Sequence, residues 1–370
     1  CDYVLVCSTH NHEGPDTIGL WGRTPLHRGV DDDYLTMVVD RVVASVRTAA
    51  RSLQPATAEF GTAVDESLLG DSRLPQVKDG VLRAVRFNSF DGDSTRGVIV
   101  QWNCHPESLG SDNTLITADF CHWTISRLEE SLACPVVYVS GAVGGLMAPP
   151  DGRFTDEDGR ALAEGDFAFA QAYGQAVADL AGLALKNAQP IDLVPVRFST
   201  SPVAVPLDNP LYRAARLAGV LRREAVGWTG DFRQANLPVS EGKSGHFAVR
   251  SEVACLRFGE LYVASIPGEI YPELVYGKFQ DPAEAHVDFP DAPLEPTVQQ
   301  MMPTDKWMLL GLANDEIGYI IPRRQWDREP PFAYGRNKSQ YGEINSCSPH
   351  VAPVIMEALG ERIRAMKSEH

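Results

Sequence analysis

The chain of 370 residues is poor in positive charge and has no long apolar run. Its 33 Lys and Arg stand against 49 Asp and Glu, for a net charge of −16. That balance excludes nonspecific nucleic-acid binding, which depends on neutralising phosphates with basic side chains. It equally excludes simple electrostatic docking on an anionic membrane. No apolar stretch approaches the about 18 residues of a transmembrane helix. The seven cysteines are odd in number and form no CxxC pair, so neither a zinc ribbon nor a dense disulfide framework is indicated. Most lie in apolar runs and read as buried thiols; the sequence leaves one or two disulfides open. Gly141-Ala142-Val143-Gly144-Gly145 lacks both the P-loop lysine and dinucleotide-binding spacing, and reads as a tight turn. The acidic residues around Gly152 and Gly159 lack calcium-loop spacing. The first residue is Cys1, already inside an apolar run, so the chain is expected to be N-terminally incomplete, with any signal peptide removed.

What is present is an ordinary globular composition, 44% hydrophobic and 22% charged. Strand-like runs alternate with helical periodicities. Strands are predicted at Tyr3–Cys7, Ala58–Ala63, Leu82–Phe87, Gly97–Trp102, Pro135–Ser140, Val194–Ser199, His246–Phe258 and Leu261–Ile266. Helices are predicted at Asp33–Leu53, from Asp119 to Ser131, at Gly165–Lys186, Leu211–Val226 and Pro349–Met366. In the first helix Leu35, Val38, Val42, Val46 and Ala49 recur at three- and four-residue spacing, as in an amphipathic helix, with acidic residues at its start. The interleaving points to an α/β fold, a mixed β-sheet core layered with helices, in one domain over residues 1–370. Residues 205–245 are the least regular stretch and read as a surface excursion in preference to a substrate lid.

Three strand ends carry chemistry. Val4-Leu5-Val6-Cys7 leads into Ser8-Thr9-His10-Asn11-His12-Glu13-Gly14-Pro15, and an extended backbone would point His10 and His12 to one face. One imidazole can ligate a metal while its neighbour moves protons. His105 follows the strand ending at Trp102, and Glu269 follows the strand ending at Ile266 in a Pro-Gly turn. Two histidines and a carboxylate form a frequent catalytic zinc set that leaves a position open.

The octapeptide Ser8–Pro15 resembles the Ser-Thr-His-Thr-His-Ser-Gly-Pro signature of neutral ceramidases, the neutral/alkaline non-lysosomal amidohydrolases of sphingolipids. Asn103-Cys104-His105-Pro106, Asn113–Asp119, Ile266-Pro267-Gly268-Glu269 and Gly311-Leu312-Ala313-Asn314…Gly318-Tyr319 resemble further motifs of that family in the same order. The resemblance implies a Zn2+ site at strand ends, held by His10, His105, Glu269 and Tyr319, with His12 beside it in proton transfer. It implies that Arg73, in Asp71-Ser72-Arg73, faces the scissile carbonyl. Tyr341 matches a second active-site tyrosine, with Tyr334 the competing choice. The family's C-terminal immunoglobulin-like domain is expected to be absent, and a secreted or periplasmic location is what the resemblance implies. Glu13 and Asp16 replace small residues of the family signature and are expected to place two carboxylates near the pocket mouth. Gly145 stands where the family has an aspartate.

The expected function is a zinc-dependent hydrolase that cleaves a linear amide, such as an N-acyl lipid, by attack of metal-activated water. The partner is then a small-molecule or lipid amide, with no nucleic acid. One alternative is the same site acting on a non-lipid amide or ester, which the two mouth carboxylates favour. Another is a noncatalytic binding protein, which loss of Arg73 from the pocket would favour. An apolar channel beside His12 would favour an acyl substrate.

Overall fold

A computed structural model describes residues 1–367, and the period-two alternation of its strands feeds separate cores on the two faces of each sheet. The first half holds β1 (Ala56–Val64), β2 (Gly70–Asp71), β3 (Val81–Ser89), β4 (Thr95–Trp102), β5 (Val136–Ser140), β6 (Met147–Ala148) and β7 (Gln189–Ile191). The second half adds β8 (Val196–Pro206), β9 (Ala225–Gly227), β10 (Phe247–Phe258), β11 (Leu261–Ser265), β12 (Glu269–Ile270), β13 (Trp307–Leu310) and β14 (Tyr319–Ile320). One sheet has the order β5-β4-β3-β1-β7 and the other β13-β11-β10-β8, with β9 also on β10. Both are mixed, since β4–β5 and β11–β13 run parallel while their neighbours run antiparallel.

Adjacent residues of one strand serve different layers. On β11, Leu261 and Val263 meet Phe60, Val85 and Met308 between the two sheets. The intervening Tyr262 and Ala264 face a second core with Ile355, Leu359 and Ile363 of the C-terminal helix Val351–Lys367. On β4, Val98 and Val100 pack with Phe120, Leu128 and Val177 of the helices α2 (Asp119–Leu132) and α3 (Phe167–Lys186), which follow α1 (Asp32–Arg51) in the chain. The result is helix, sheet, sheet, helix, which is the mixed-sheet α/β architecture expected.

Two expectations fail for identifiable reasons. Tyr3–Cys7 is not a strand of either sheet. It makes a single bridge, Cys7 with Ala313, and is tied to Asn314 by the Val6 N–H (2.8 Å) and the Asn314 N–H (2.6 Å). The helix after Asn209, α4 (Pro210–Leu217), stops well short of Val226 because the chain turns at Gly219 with φ +76°. Helix α1 forms where predicted, capped by the Asp31 carboxylate on the Asp33 and Tyr34 N–H groups, yet none of its residues is buried. The Asp31 cap starts the helix, and the apolar stripe does not supply core contacts.

All seven cysteines are free thiols, five of them buried. Among the described residues no helix is long and apolar enough to cross a membrane.

The α2–α3 contact is close enough to exclude a side chain. A Cβ at Gly174 would lie 2.5 Å from the Phe120 carbonyl oxygen and 2.7 Å from Trp123 Cβ, whereas one at Gly182 would meet nothing within 4 Å. Gly174→Ala is therefore expected to lower unfolding free energy by about 1–3 kcal/mol through overpacking. Gly182→Ala, in the same helix, should raise it by about 0.5–1 kcal/mol through helix propensity. Urea midpoints of the two variants check both signs.

Candidate metal centre and cavity

Three loops deliver the site, and backbone hydrogen bonds lock them together. The His12 N–H donates to the Pro106 carbonyl at 3.0 Å, so the loop after Cys7 and the loop after β4 approach as one unit. The chain does not remain extended through this stretch: His10 has φ +64°, in the left-handed region. The strand argument for a shared His10/His12 face is thereby replaced by a turn. Buried Asn103 anchors the second loop, its amide donating to the Asp79 and Val81 carbonyls at 2.9 and 3.0 Å. On the third, Glu269 and Tyr319 are registered neighbours of the parallel pair β12–β14. A Cβ at Gly268 would lie 2.6 Å from the Gly318 carbonyl oxygen, so this approach requires the glycine of the Pro-Gly-Glu turn.

The loops bring His10, His12, His105 and Glu269 together. His10 Nε2 lies 3.5 Å and His105 Nε2 2.9 Å from the same oxygen, Glu269 Oε2. One ligand atom from each of the three imidazoles falls within 4.8 Å of the others, so the histidines form a group that can hold a metal ion. His105 Nδ1 sits 2.8 Å from the Met147 carbonyl oxygen and must be its donor, which leaves Nε2 of a neutral ring with a lone pair. That nitrogen faces a carboxylate oxygen at 2.9 Å, a contact that a proton on the ring or a bound cation satisfies. Burial pulls the His10 imidazole below its ordinary pKa. At His105 burial is outweighed by Glu269, which holds that imidazole above its ordinary value. Despite burial, Glu269 stays well below the usual carboxylate range because of His10 and His105. Tetrahedral ligands at about 2.0–2.1 Å from zinc stand about 3.4 Å apart, close to the separations here. The residues present fit the metal.

Around this centre lies a cavity of about 700 Å³, lined by His10, His12, Glu269, Tyr319 and Tyr341. Burial, with the neighbouring Glu269 charge, pushes the Tyr319 hydroxyl pKa well up. The Tyr341 ring is 6.0 Å from that of Tyr319. Tyr334 donates instead to Gln280 at 2.8 Å and is not in the cavity wall, so of the two tyrosines it is Tyr341 that lines the cavity. Ile18, Leu20 and Trp21 add apolar side chains to the lining of the cavity.

Three readings change. Arg73 does not line the cavity. It is 1% exposed, with Nη2 on Glu343 Oε1 (2.6 Å) and on the Gln325 carbonyl (2.9 Å), and its guanidinium stacks over Tyr271. Glu343 and Tyr341 share the short helix Tyr341–Ile344, and Leu74 exchanges two hydrogen bonds with the Gln340 side chain. Residues 73–74 thus clamp the segment that carries Tyr341. Glu13 and Asp16 are not mouth carboxylates either: Glu13 binds Asn113, and Asp16 accepts the N–H groups of Ile18, Gly19 and Trp21. Lastly, residues 205–245 are not a mere excursion, since Leu207, Tyr212, Arg216 and Leu221–Arg223 form one side of the cavity.

Sequence reasoning missed Glu107 and Tyr212. Glu107 Oε2 lies 3.2 Å from His12 Nδ1 and fixes that ring. Its position two residues after His105 was a usable signal. Nothing in the sequence marked Tyr212, which reaches the cavity only because α4 folds back over it.

Comparisons with known proteins agree on the fold. No family model and no characterised protein matches the sequence. Among solved structures, neutral ceramidase from Pseudomonas aeruginosa superposes with a TM-score of 0.67 at 15% identity, over 98% of this chain and 60% of that one. A ceramidase complexed with C2 gives 0.65 at 14% identity, over 98% and 62%. The chain has a neutral ceramidase-like fold and spans about three fifths of the length of those proteins.

Two measurements test the polar layer behind the cavity. Arg73→Met should cost about 3–5 kcal/mol, because it strands the buried Glu343 carboxylate; chemical denaturation reads it. Glu273, 2% exposed, has its pKa pushed up to about 7 by burial. The native state then binds a proton that the unfolded chain releases near pH 4.5, so this group's contribution falls as pH rises from about 4.5 to 7. Relative to wild type, Glu273→Gln should gain about 3 kcal/mol between pH 5 and 8, visible as a pH-dependent difference in urea midpoints.

Proposed function

We propose that this chain is a zinc-dependent hydrolase of linear amides with an apolar acyl half. The observation that carries the reading is the convergence of His10 Nε2 and His105 Nε2 on one oxygen of Glu269, at the wall of a cavity with an apolar side. His10, His105 and Glu269 would hold the metal, with the Tyr319 hydroxyl beside Glu269 as the fourth donor. Zinc supplies a Lewis acid that polarises a carbonyl and makes water acidic near neutrality.

The chain's own groups account for the rest. Ile18, Leu20 and Trp21 bind the acyl chain and exclude water from the scissile bond. Glu107 orients His12 through Nδ1, so His12 Nε2 faces the cavity and delivers a proton to the leaving nitrogen. The Tyr341 hydroxyl donates to the carbonyl oxygen as negative charge develops there. Arg73 acts behind it, holding the Tyr341 segment in place. A secreted or periplasmic setting belongs to the same reading.

The withdrawal of Arg73 favours a second reading, in which the site binds metal and ligand without turnover. One experiment separates them. Elemental analysis of zinc-reconstituted protein should give about one zinc per chain, lost in His10→Ala. His12→Ala should keep the metal and lower the hydrolysis rate of a lauroyl amide by about 10²–10⁴-fold. Zinc bound without turnover would leave the binding reading in place, and a folded protein that takes up no zinc would contradict both.

A further inference from the structure

We propose that the amide taken by this cavity carries an anion, a carboxylate or sulfonate, on its amine half, and that Arg216 and Arg222 receive it. This rests on the hydrolase reading for turnover and on the cavity alone for binding.

Part of the cavity wall, next to the Ile18–Trp21 loop at Gly19 and Val220, is basic, in a chain whose net charge is −16. Arg216, Arg222 and Arg223 all line the cavity that holds His10 and Glu269. Arg223 is committed, since it binds Asp315 and donates to the carbonyls of Glu316 (3.1 Å) and Arg250 (3.0 Å). Arg222 has only an exposed ion pair with Asp32 at 3.7 Å, which contributes little. The Arg216 guanidinium has no side-chain partner among the described residues, and its Nε is shut off from solvent. An N–H in that state forfeits its hydration and gains when a ligand supplies an acceptor.

The acids on the cavity wall are committed elsewhere, apart from Glu316 Oε2, which is buried without a partner. Asp315 is held by Arg223 and by the Ser251 hydroxyl. Glu252 accepts from Tyr3 and Asn314, Glu316 from the Gly318 N–H, and Glu269 faces the imidazoles. A second hollow of about 560 Å³ shares Arg216, Arg222 and Arg223 with the main cavity and is also lined by Glu224, which leaves three guanidinium groups against one carboxylate there. Two guanidinium forks suit a carboxylate or sulfonate, whose oxygens accept paired N–H bonds. On this proposal the acyl chain goes to Ile18, Leu20 and Trp21 and the anion of the amine half to the arginines. The balanced reaction is water plus an N-acyl amino acid giving a fatty acid and a free amino acid. The C–N bond breaks, a C–O bond forms, and the amine leaves protonated.

The test uses N-lauroylglycine and N-lauroylethanolamine, which share the acyl chain and differ in the anion. Titration calorimetry on His12→Ala protein, where turnover is suppressed, should show the glycine conjugate binding about tenfold tighter or more. Arg216→Ala/Arg222→Ala should erase the difference, and in unsubstituted arginine background the preference should shrink at about 0.5 M salt. Equal affinities, or a preference that survives loss of both arginines, would overturn the proposal. Turnover by the zinc-loaded wild type is read separately. If the binding preference holds and neither amide is cleaved, the hydrolase reading fails and the anion site stands. Cleavage of both with equal kcat/KM and equal affinity leaves the hydrolase and removes the anion site.

Discussion

Two imidazole nitrogens aimed at a single carboxylate oxygen set the terms for everything around them. His10 Nε2 and His105 Nε2 lie 3.5 and 2.9 Å from Glu269 Oε2, so a ring proton or a bound cation must stand between nitrogen and oxygen. The Met147 carbonyl removes the alternative of rotating the proton away, because it fixes His105 Nδ1 as a donor. A second-layer contact of this kind is how proteins orient a metal ligand and raise its basicity. The arrangement is paid for by the backbone: a left-handed residue at His10 and a glycine-only approach at Gly268.

The surrounding fold makes that strain sustainable. The centre sits where two mixed sheets end, and its loops are bound to one another by main-chain hydrogen bonds as well as to the strands that feed them. Behind Tyr271 a buried polar layer of Arg73, Glu343 and Glu273 ties the Tyr341 helix to residues far away in sequence. Such a layer is costly to disrupt in part, which gives the cavity wall a rigidity that exposed loops lack. The opposite wall, from α4 to Arg223, is built on different terms, with α4 itself carrying no buried residue. One side of the cavity is therefore fixed by buried polar pairing and the other is a largely solvated helix and turn that carry the basic groups.

Much of this was legible in the sequence, and the failures have physical causes. Sheet strands such as Gly97–Trp102 and Leu261–Ile266 announced themselves because burial on both faces leaves near-continuous apolar runs. His105 and Glu269 were legible because each stands just past such a run, and His10 because it follows an apolar run that resembles one. Tyr3–Cys7 misled because its apolar residues alternate in exposure without a strand partner, a tertiary fact that no local pattern encodes. Arg73 was placed by motif on the cavity, but its burial depends on Glu343, 270 residues away. Glu13 and Asp16 misled for the opposite reason. Short acidic side chains in turns are often consumed by nearby N–H and amide groups, as Asp16 is by Ile18, Gly19 and Trp21.

The account stands on the division of labour among three histidines: two hold a cation with Glu269, and His12 stays free to move a proton. X-ray absorption at the zinc edge of the reconstituted protein counts imidazoles directly. The account predicts a nitrogen/oxygen shell at about 2.0–2.1 Å containing two imidazoles, unchanged in His12→Ala. A shell with three imidazoles that loses one in His12→Ala would make His12 a ligand and contradict it.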